Sequence, residues 1–285
     1  MTKASKHSAE SSPVETLAPV SSNRQVSGSG FLLTLVAAIP APVPGQFVML
    51  GLPENAAPFL RRPFSVFDFD AGQRRLKIFY YVSGSGTEAL SRVRRGEELG
   101  LLGPLGRPFP ESPRPLQVIV GGGRGCAPLV FLSRRRHKTT RVFFLAGARR
   151  EDEIPPLDGI KASRVFVSTE DGSFGKKGSV LDLMKSVGAS PDFEWSSAVL
   201  YGCGPVGMLG ELHRFAVKKG VSCFVSLEAR MGCGLGVCQG CAVATGQRKY
   251  SLVCTDGPVF DSSSVDWELY SGVREREDRE SDILM

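Results

Sequence analysis

The sequence predicts a chain in three parts: an antiparallel β-barrel or sandwich, then a parallel-sheet α/β domain, then a small cysteine-rich domain. Three observations predict it. Between residues 31 and 110 short apolar runs are broken repeatedly by Gly and Pro. Beyond Pro115 continuous apolar strands alternate with helix-length segments. Four of the seven cysteines fall between Cys233 and Cys254. At 285 residues and 42% hydrophobic, the chain can bury more than one core.

The elements follow in order. Residues 1–24 are Ser-rich and polar, with almost no aromatic content, and are expected to be disordered. Residues 25–113 carry the barrel, with strands expected at Phe31–Val36, Gln46–Leu50, Phe64–Phe69, Leu76–Val82 and Glu98–Leu102, and one short helix at Gly86–Val93. Residues 114–221 carry the α/β domain. Its strands are expected at Gln117–Val120, Arg141–Ala146, Arg164–Ser168 and Ala198–Tyr201, and its helices at Pro128–Arg136, Val180–Lys185 and Met208–Lys219. Residues 222–272 are Gly- and Cys-rich, and the charged tail 273–285 is expected to be mobile.

Charge excludes one class of partner. The net charge is +6, but the densest basic run, Arg134 to Lys138, reads as the polar end of a helix, so nucleic acid is not expected. No membrane span is expected either: the apolar stretch Phe31–Ile39 is stopped by Pro40, Pro42 and Pro44. No apolar export segment is read before it, and a cytoplasmic chain is expected. There, an odd cysteine count with a tight cluster favours metal ligation over disulfides.

Cys233, Cys238 and Cys241 form C-x4-C-x2-C, and Cys254 follows about a dozen residues later. This is the plant-type [2Fe–2S] spacing. Glycines at 232, 234, 236 and 240 allow the backbone to wrap closely and aim N–H groups at sulfur. Zinc is the alternative, although its ribbons pair two short knuckles, whereas here three ligands sit together and one stands apart.

Two weaker motifs lie in the barrel half. Arg62-Pro63-Phe64-Ser65 opens an apolar strand, where a guanidinium can clamp a phosphate and a hydroxyl can reach a ring edge. By itself it reads more simply as a surface Arg pair, with Arg61, before an edge strand. Phe79-Tyr80-Tyr81 leads through a Gly-rich turn to Gly86-Thr87, with Thr87 expected as a helix cap. In the α/β half, Gly121-Gly122-Gly123-Arg124-Gly125 joins a strand to a helix, as pyrophosphate-binding turns do. It lacks the last glycine of the usual fingerprint, whose place Cys126 takes. Tyr201-Gly-Cys203-Gly-Pro205 closes a later strand. A buried packing role for Cys203 stands level with a chemical one. His137 and His213 fall on expected helices and read as surface residues.

With Gly103-Pro-Leu-Gly106 and Cys254-Thr-Asp-Gly-Pro-Val-Phe260, these motifs resemble the ferredoxin–NADP reductase superfamily. Within it they are most similar to the electron-transfer subunits of NAD-dependent dihydroorotate dehydrogenase, over roughly residues 45–267. The resemblance implies an FAD-binding barrel, a Rossmann-like NAD-binding domain and a C-terminal [2Fe–2S] domain. It assigns FAD to Arg62, Pro63, Phe64, Ser65, Phe79, Tyr80, Tyr81, Gly86 and Thr87, and NAD to Gly121, Gly122, Gly123 and Gly125. Cys203 would lie near the hydride path. The implied partner is an FMN-containing catalytic subunit that oxidises dihydroorotate for pyrimidine biosynthesis, two copies of each forming the complex. Electrons would pass through the cluster and FAD to NAD+. A similar flavin subunit of a sulfhydrogenase or NAD(P)H:ferredoxin oxidoreductase, or a redox-sensing module, are the alternatives. Glu170 and Asp171 would repel a 2′-phosphate and so favour NAD; Arg149 and Arg150 would oppose this if they point inward.

Overall fold

The structure is a computed structural model and describes residues 12–53, 59–135, 140–190, 193–246 and 250–274. The first half is a seven-stranded sheet of β1 (Val14–Ser27), β2 (Gly30–Val36), β3 (Phe47–Gly51), β4 (Arg62–Ser65), β5 (Asp68–Asp70), β6 (Arg75–Tyr81) and β7 (Glu98–Leu105). Their order is β4-β3-β7-β1-β2-β6-β5, each adjacent pair antiparallel. Strands β4 and β5 therefore lie at opposite edges, yet only Val66 and Phe67 separate them in the chain. Two residues span less than about 11 Å, so the sheet has to curl until its edges adjoin. Phe64 on β4 accordingly meets Tyr80 on β6, their ring centroids 5.8 Å apart. The enclosed core includes Ala18, Leu33, Val48, Leu76, Ile78 and Leu101.

Two sequence expectations change here. The run Phe64–Phe69 is not one strand but two, turning at the buried pair Val66 and Phe67. Of the segment expected to be disordered, Val14 to Arg24 is ordered in β1, at the centre of the sheet between β2 and β7. Only Ala18 and Val20 of this strand are deeply buried, while Leu17 is exposed. Two inward side chains give too weak an alternation to read; backbone pairing on both sides holds the strand. Residues 1–11 lie outside the described residues.

The second sheet contains β8 (Leu116–Gly122), β9 (Arg141–Ala148), β10 (Arg164–Thr169), β11 (Lys176–Lys177), β12 (Ala198–Cys203) and β13 (Cys223–Ser226), all parallel. Its order is β11-β10-β9-β8-β12-β13, closed by the antiparallel β16 (Val259–Asp261). Every residue of β8 is buried, as expected of a strand covered on both faces. Helices α2 (Cys126–Arg134), α3 (Val180–Val187) and α4 (Val206–Lys219) supply the cover. Ser179 caps α3 by accepting from the Asp182 N–H at 3.1 Å, and Gly220 ends α4 in the left-handed conformation. Between β13 and β16 lie the cysteine loop and a small hairpin, β14 (Ala242–Val243) with β15 (Ser251–Leu252).

The basic run on α2 is not merely a polar helix end. Phe131 is fully buried among barrel residues, and Arg134 pairs with Asp68 of β5 at 2.7 Å. Arg135 donates to the Phe69 carbonyl at 3.1 Å. His137 lies outside the described residues. His213 is half-buried, bonded to Ser262 and stacked on Trp267, not a free surface residue. Among the described residues, no helix is long and apolar enough to cross a membrane.

Candidate functional site

A cavity of about 820 Å³ opens between the two sheets. It sits at the carboxyl ends of the parallel strands, where the chain order reverses between β8 and β12, the place such sheets bind ligands. Gly122 to Gly125 after β8 and Gly204-Pro205 after β12 form one wall, and Tyr81, Val82 and Ser83 of the barrel form another.

Of the four glycines read as a pyrophosphate turn, only Gly123 combines a positive φ (51°) with open space around its missing Cβ. A Cβ on Gly122 would come within 2.7 Å of Met208 Sδ, and one on Gly125 would run into the Cys203 carbonyl. These glycines let two turns pack on each other, and their backbone faces the cavity. Gly121 is buried beneath, against Cys126. Cys203 is 4% exposed under the same turn. Burial foremost, then the nearby Glu228, raises its pKa, and it shares a hydrogen bond with Ser226. Cys126 is buried completely and pushed up to about 12 by the same desolvation.

In the barrel, Arg62, Pro63, Phe64 and Ser65 form all of β4 and are half-buried. The Arg62 guanidinium rests on Gly86 of α1 (Ser85–Ser91), where any Cβ would displace it. The two motifs, separated in sequence, are thus one constellation: a guanidinium at a Gly-bottomed cradle fits a phosphate-bearing cofactor. Thr87 is not the cap residue itself. It stands inside the helix, and its hydroxyl accepts from the N–H groups of Ser83 (2.9 Å) and Gly84 (3.2 Å). The strand period divides the aromatic triplet. Tyr80 points into the barrel core, its hydroxyl on Asn23 at 3.1 Å, whereas Tyr81 reaches the cavity wall and bonds the Glu153 carbonyl. Phe79 packs edge-on against Tyr81 at 5.1 Å.

The four clustered cysteines stand as two pairs. Cys241 and Cys254 sulfurs lie 3.2 Å apart and are buried. Cys233 bonds Cys238, and its sulfur accepts N–H groups from Leu235 (3.3 Å) and Cys238 (3.4 Å). Those N–H donors lower the Cys233 pKa to about 6. Gly234 and Gly236 take φ of 74° and 80°, which the reversing loop requires. Among the described residues the sulfurs do not converge on a single-ion site. Two cysteine pairs suit two irons, so the donor set fits [2Fe–2S]. The loop is seated on the barrel: Arg107 N–H donates to Gly257 O at 2.5 Å, and Gly106 abuts Pro258.

Comparison with known proteins decides the family. A relative from Caldanaerobacter subterraneus, the electron transfer subunit of dihydroorotate dehydrogenase B (NAD(+)), is 37% identical over 252 residues, 87% of this chain and 97% of that one. The chain belongs to this family of electron-transfer subunits. A Bacillus cereus relative of the same name is 38% identical over 78% of the chain and 86% of its own length. Residues 228–266 match the iron–sulfur cluster binding domain of dihydroorotate dehydrogenase B. Among solved structures, an NADH-dependent reduced ferredoxin–NADP oxidoreductase superposes with a TM-score of 0.78 at 27% identity, covering 94% of this chain and 98% of that one. A Neisseria gonorrhoeae ferredoxin–NADP+ reductase (TM-score 0.59, 17% identity, 72% and 92% covered) shares the fold.

For this family member, sequence reading missed the cavity's far wall. Glu228, Tyr270 and Arg274 line it, the latter two from α5 (residues 267–274). The expected tail thus begins in a helix; residues 275–285 lie outside the described residues. A signal was present, since Asp266 precedes a run with apolar residues at helical spacing and caps it, accepting from Leu269 N–H at 3.1 Å. Glu170 lines the cavity, as does Arg149, but Arg149 and Arg150 are drawn to Glu153 (3.4 Å) and Asp152 (3.1 Å).

Proposed function

We propose that this chain passes electrons from dihydroorotate oxidation, on an FMN-bearing partner subunit, through a [2Fe–2S] cluster and FAD to NAD+ in pyrimidine biosynthesis. One observation carries the reading: a single cavity is walled by the strand end that leads into the Gly86-Thr87 turn and by the turns that close β8 and β12. The flavin strand and the dinucleotide turns therefore meet at one space, with the cysteine loop seated on the same barrel.

FAD, when bound, exchanges a hydride with nicotinamide and single electrons with the cluster. The chain's own part is positioning. Arg62, held over Gly86, neutralises a phosphate, and Ser65 offers a hydroxyl at the end of β4. Tyr81, fixed through Glu153, bounds the cavity, while Gly122, Gly123 and Gly125 present backbone to a pyrophosphate. Cys203 stays a neutral, buried thiol that shapes the turn beneath the nicotinamide. Cys233, Cys238, Cys241 and Cys254 would hold the cluster, the first two from the more exposed side of the loop and the last two from its buried side. Leu235 (46% exposed) and Val237 (80% exposed), which lie between Cys233 and Cys238 in the loop, would offer apolar contacts to the partner. The complex is taken to contain two copies of each subunit and to be cytoplasmic.

Mixing the holoprotein with an FMN-bearing dihydroorotate-oxidising subunit tests the reading. Dihydroorotate-dependent reduction of NAD+ that needs both proteins is the expected result. Reduction of ferredoxin by NADH, with no response to that subunit, would overturn it in favour of the ferredoxin-linked reading, which the 0.78 superposition keeps open.

A further inference from the structure

We infer that Tyr270 is a positioning residue for nicotinamide binding, pinning Glu228 at the wall of the cavity from the C-terminal helix. The sheet ladder reaches its end just before Glu228: β16 pairs with β13 as far as Ser226, and Leu227 N–H still donates to the Pro258 carbonyl at 2.9 Å. At Glu228 a side chain takes over. The Tyr270 hydroxyl accepts from the Glu228 N–H at 3.2 Å and donates to the Glu228 carbonyl at 2.8 Å. One phenol thus serves both backbone groups of one residue, using its donor and an acceptor position.

The mount is rigid. Tyr270 is 4% exposed, its N–H bonds the Asp266 carbonyl at 2.9 Å, and its ring meets Trp267 at 6.2 Å. Trp267 in turn donates to the Ser262 carbonyl at 2.9 Å and stacks on His213 of α4 at 5.6 Å. Glu228, Tyr270, Gly204 and Pro205 face the same cavity, so fixing the Glu228 backbone fixes the point from which its side chain enters that space. A carboxylate is an acceptor only, and the ribose hydroxyls and carboxamide of a dinucleotide are donors. Glu228 also opens the segment that runs to Cys233.

This rests on the nicotinamide reading above, and the experiment separates the two. Tyr270→Phe keeps the ring and removes the hydroxyl; Tyr270→Leu removes both. NAD+ binding to the oxidised holoprotein is measured by calorimetry, with FAD and iron content assayed on the same samples and KM and kcat for NADH taken with an artificial acceptor. Both variants should bind NAD+ about tenfold more weakly, the size of a good hydrogen bond, with KM raised in parallel, kcat kept and cofactor content unchanged. A Phe variant that binds as wild type, with only the Leu variant impaired, would reduce Tyr270 to packing and overturn the inference alone. A wild-type protein that does not bind NAD+ would overturn the nicotinamide reading and this inference with it.

Discussion

The guanidinium of Arg62 lies on Gly86, two residues brought together from β4 and α1 with no room for a Cβ between them. The obstructing atoms are the far end of a flexible side chain, so Gly86→Ala should displace Arg62 at little cost to folding. The loss should fall on the cofactor instead. FAD retained after desalting is expected to drop about tenfold, the value of one charge-assisted contact, while the iron content holds. Flavin absorbance against iron per chain checks it.

Arg134 joins the two sheets more firmly than a basic helix end would. It pairs with Asp68 at 2.7 Å, donates to the Asp158 carbonyl at 2.6 Å, and stacks over Phe67 at 5.3 Å. Arg134→Ala should lower stability by about 2 kcal/mol, the range for hydrogen bonds to charged groups. Urea unfolding followed separately by flavin release and by circular dichroism would show it, with the interface opening first.

Buried thiols set an alkaline limit. Cys126 and Cys223, ordinarily near 9, are each pushed up to about 12, chiefly by burial. The folded state therefore holds these protons more tightly than the unfolded one. Their stabilising contribution is complete below pH 9 and is lost as pH rises towards 12. The urea midpoint should fall between pH 8.5 and 10.5 by rough reckoning from those values, and less steeply in Cys126→Ala. A midpoint that rises over that interval would contradict the account.

Glu170 faces the cavity after β10, where a carboxylate repels a 2′-phosphate. Glu170→Ala is expected to weaken NADH by several-fold and strengthen NADPH, narrowing a preference read from kcat/KM with both. An unchanged ratio would remove Glu170 from cofactor choice.

What the sequence made legible follows from where the physics is local. The cysteine spacing is local, and it brings Cys233 to Cys238 and Cys241 to Cys254 as two separate pairs. The strands β8, β9 and β12 are buried on both faces and read as unbroken apolar runs. The strand β1 was illegible because its order comes from partners distant in sequence, with Leu17 facing solvent. Tyr80 and Tyr81 looked equivalent until the pleat sent one inward and one to the cavity. Gly122 and Gly125 looked like ligand contacts, yet much of their constraint is the neighbouring turn. Tyr270 carried no motif at all; its meaning exists only once α5 returns to Glu228.

The most direct measurement is an anaerobic titration of the purified holoprotein with NADH, followed by visible absorbance and by electron paramagnetic resonance. The account predicts bleaching of the flavin together with loss of the iron–sulfur colour and a reduced [2Fe–2S] signal from the same chain. A colourless zinc-bearing protein, or a flavin that NADH leaves oxidised, would contradict it.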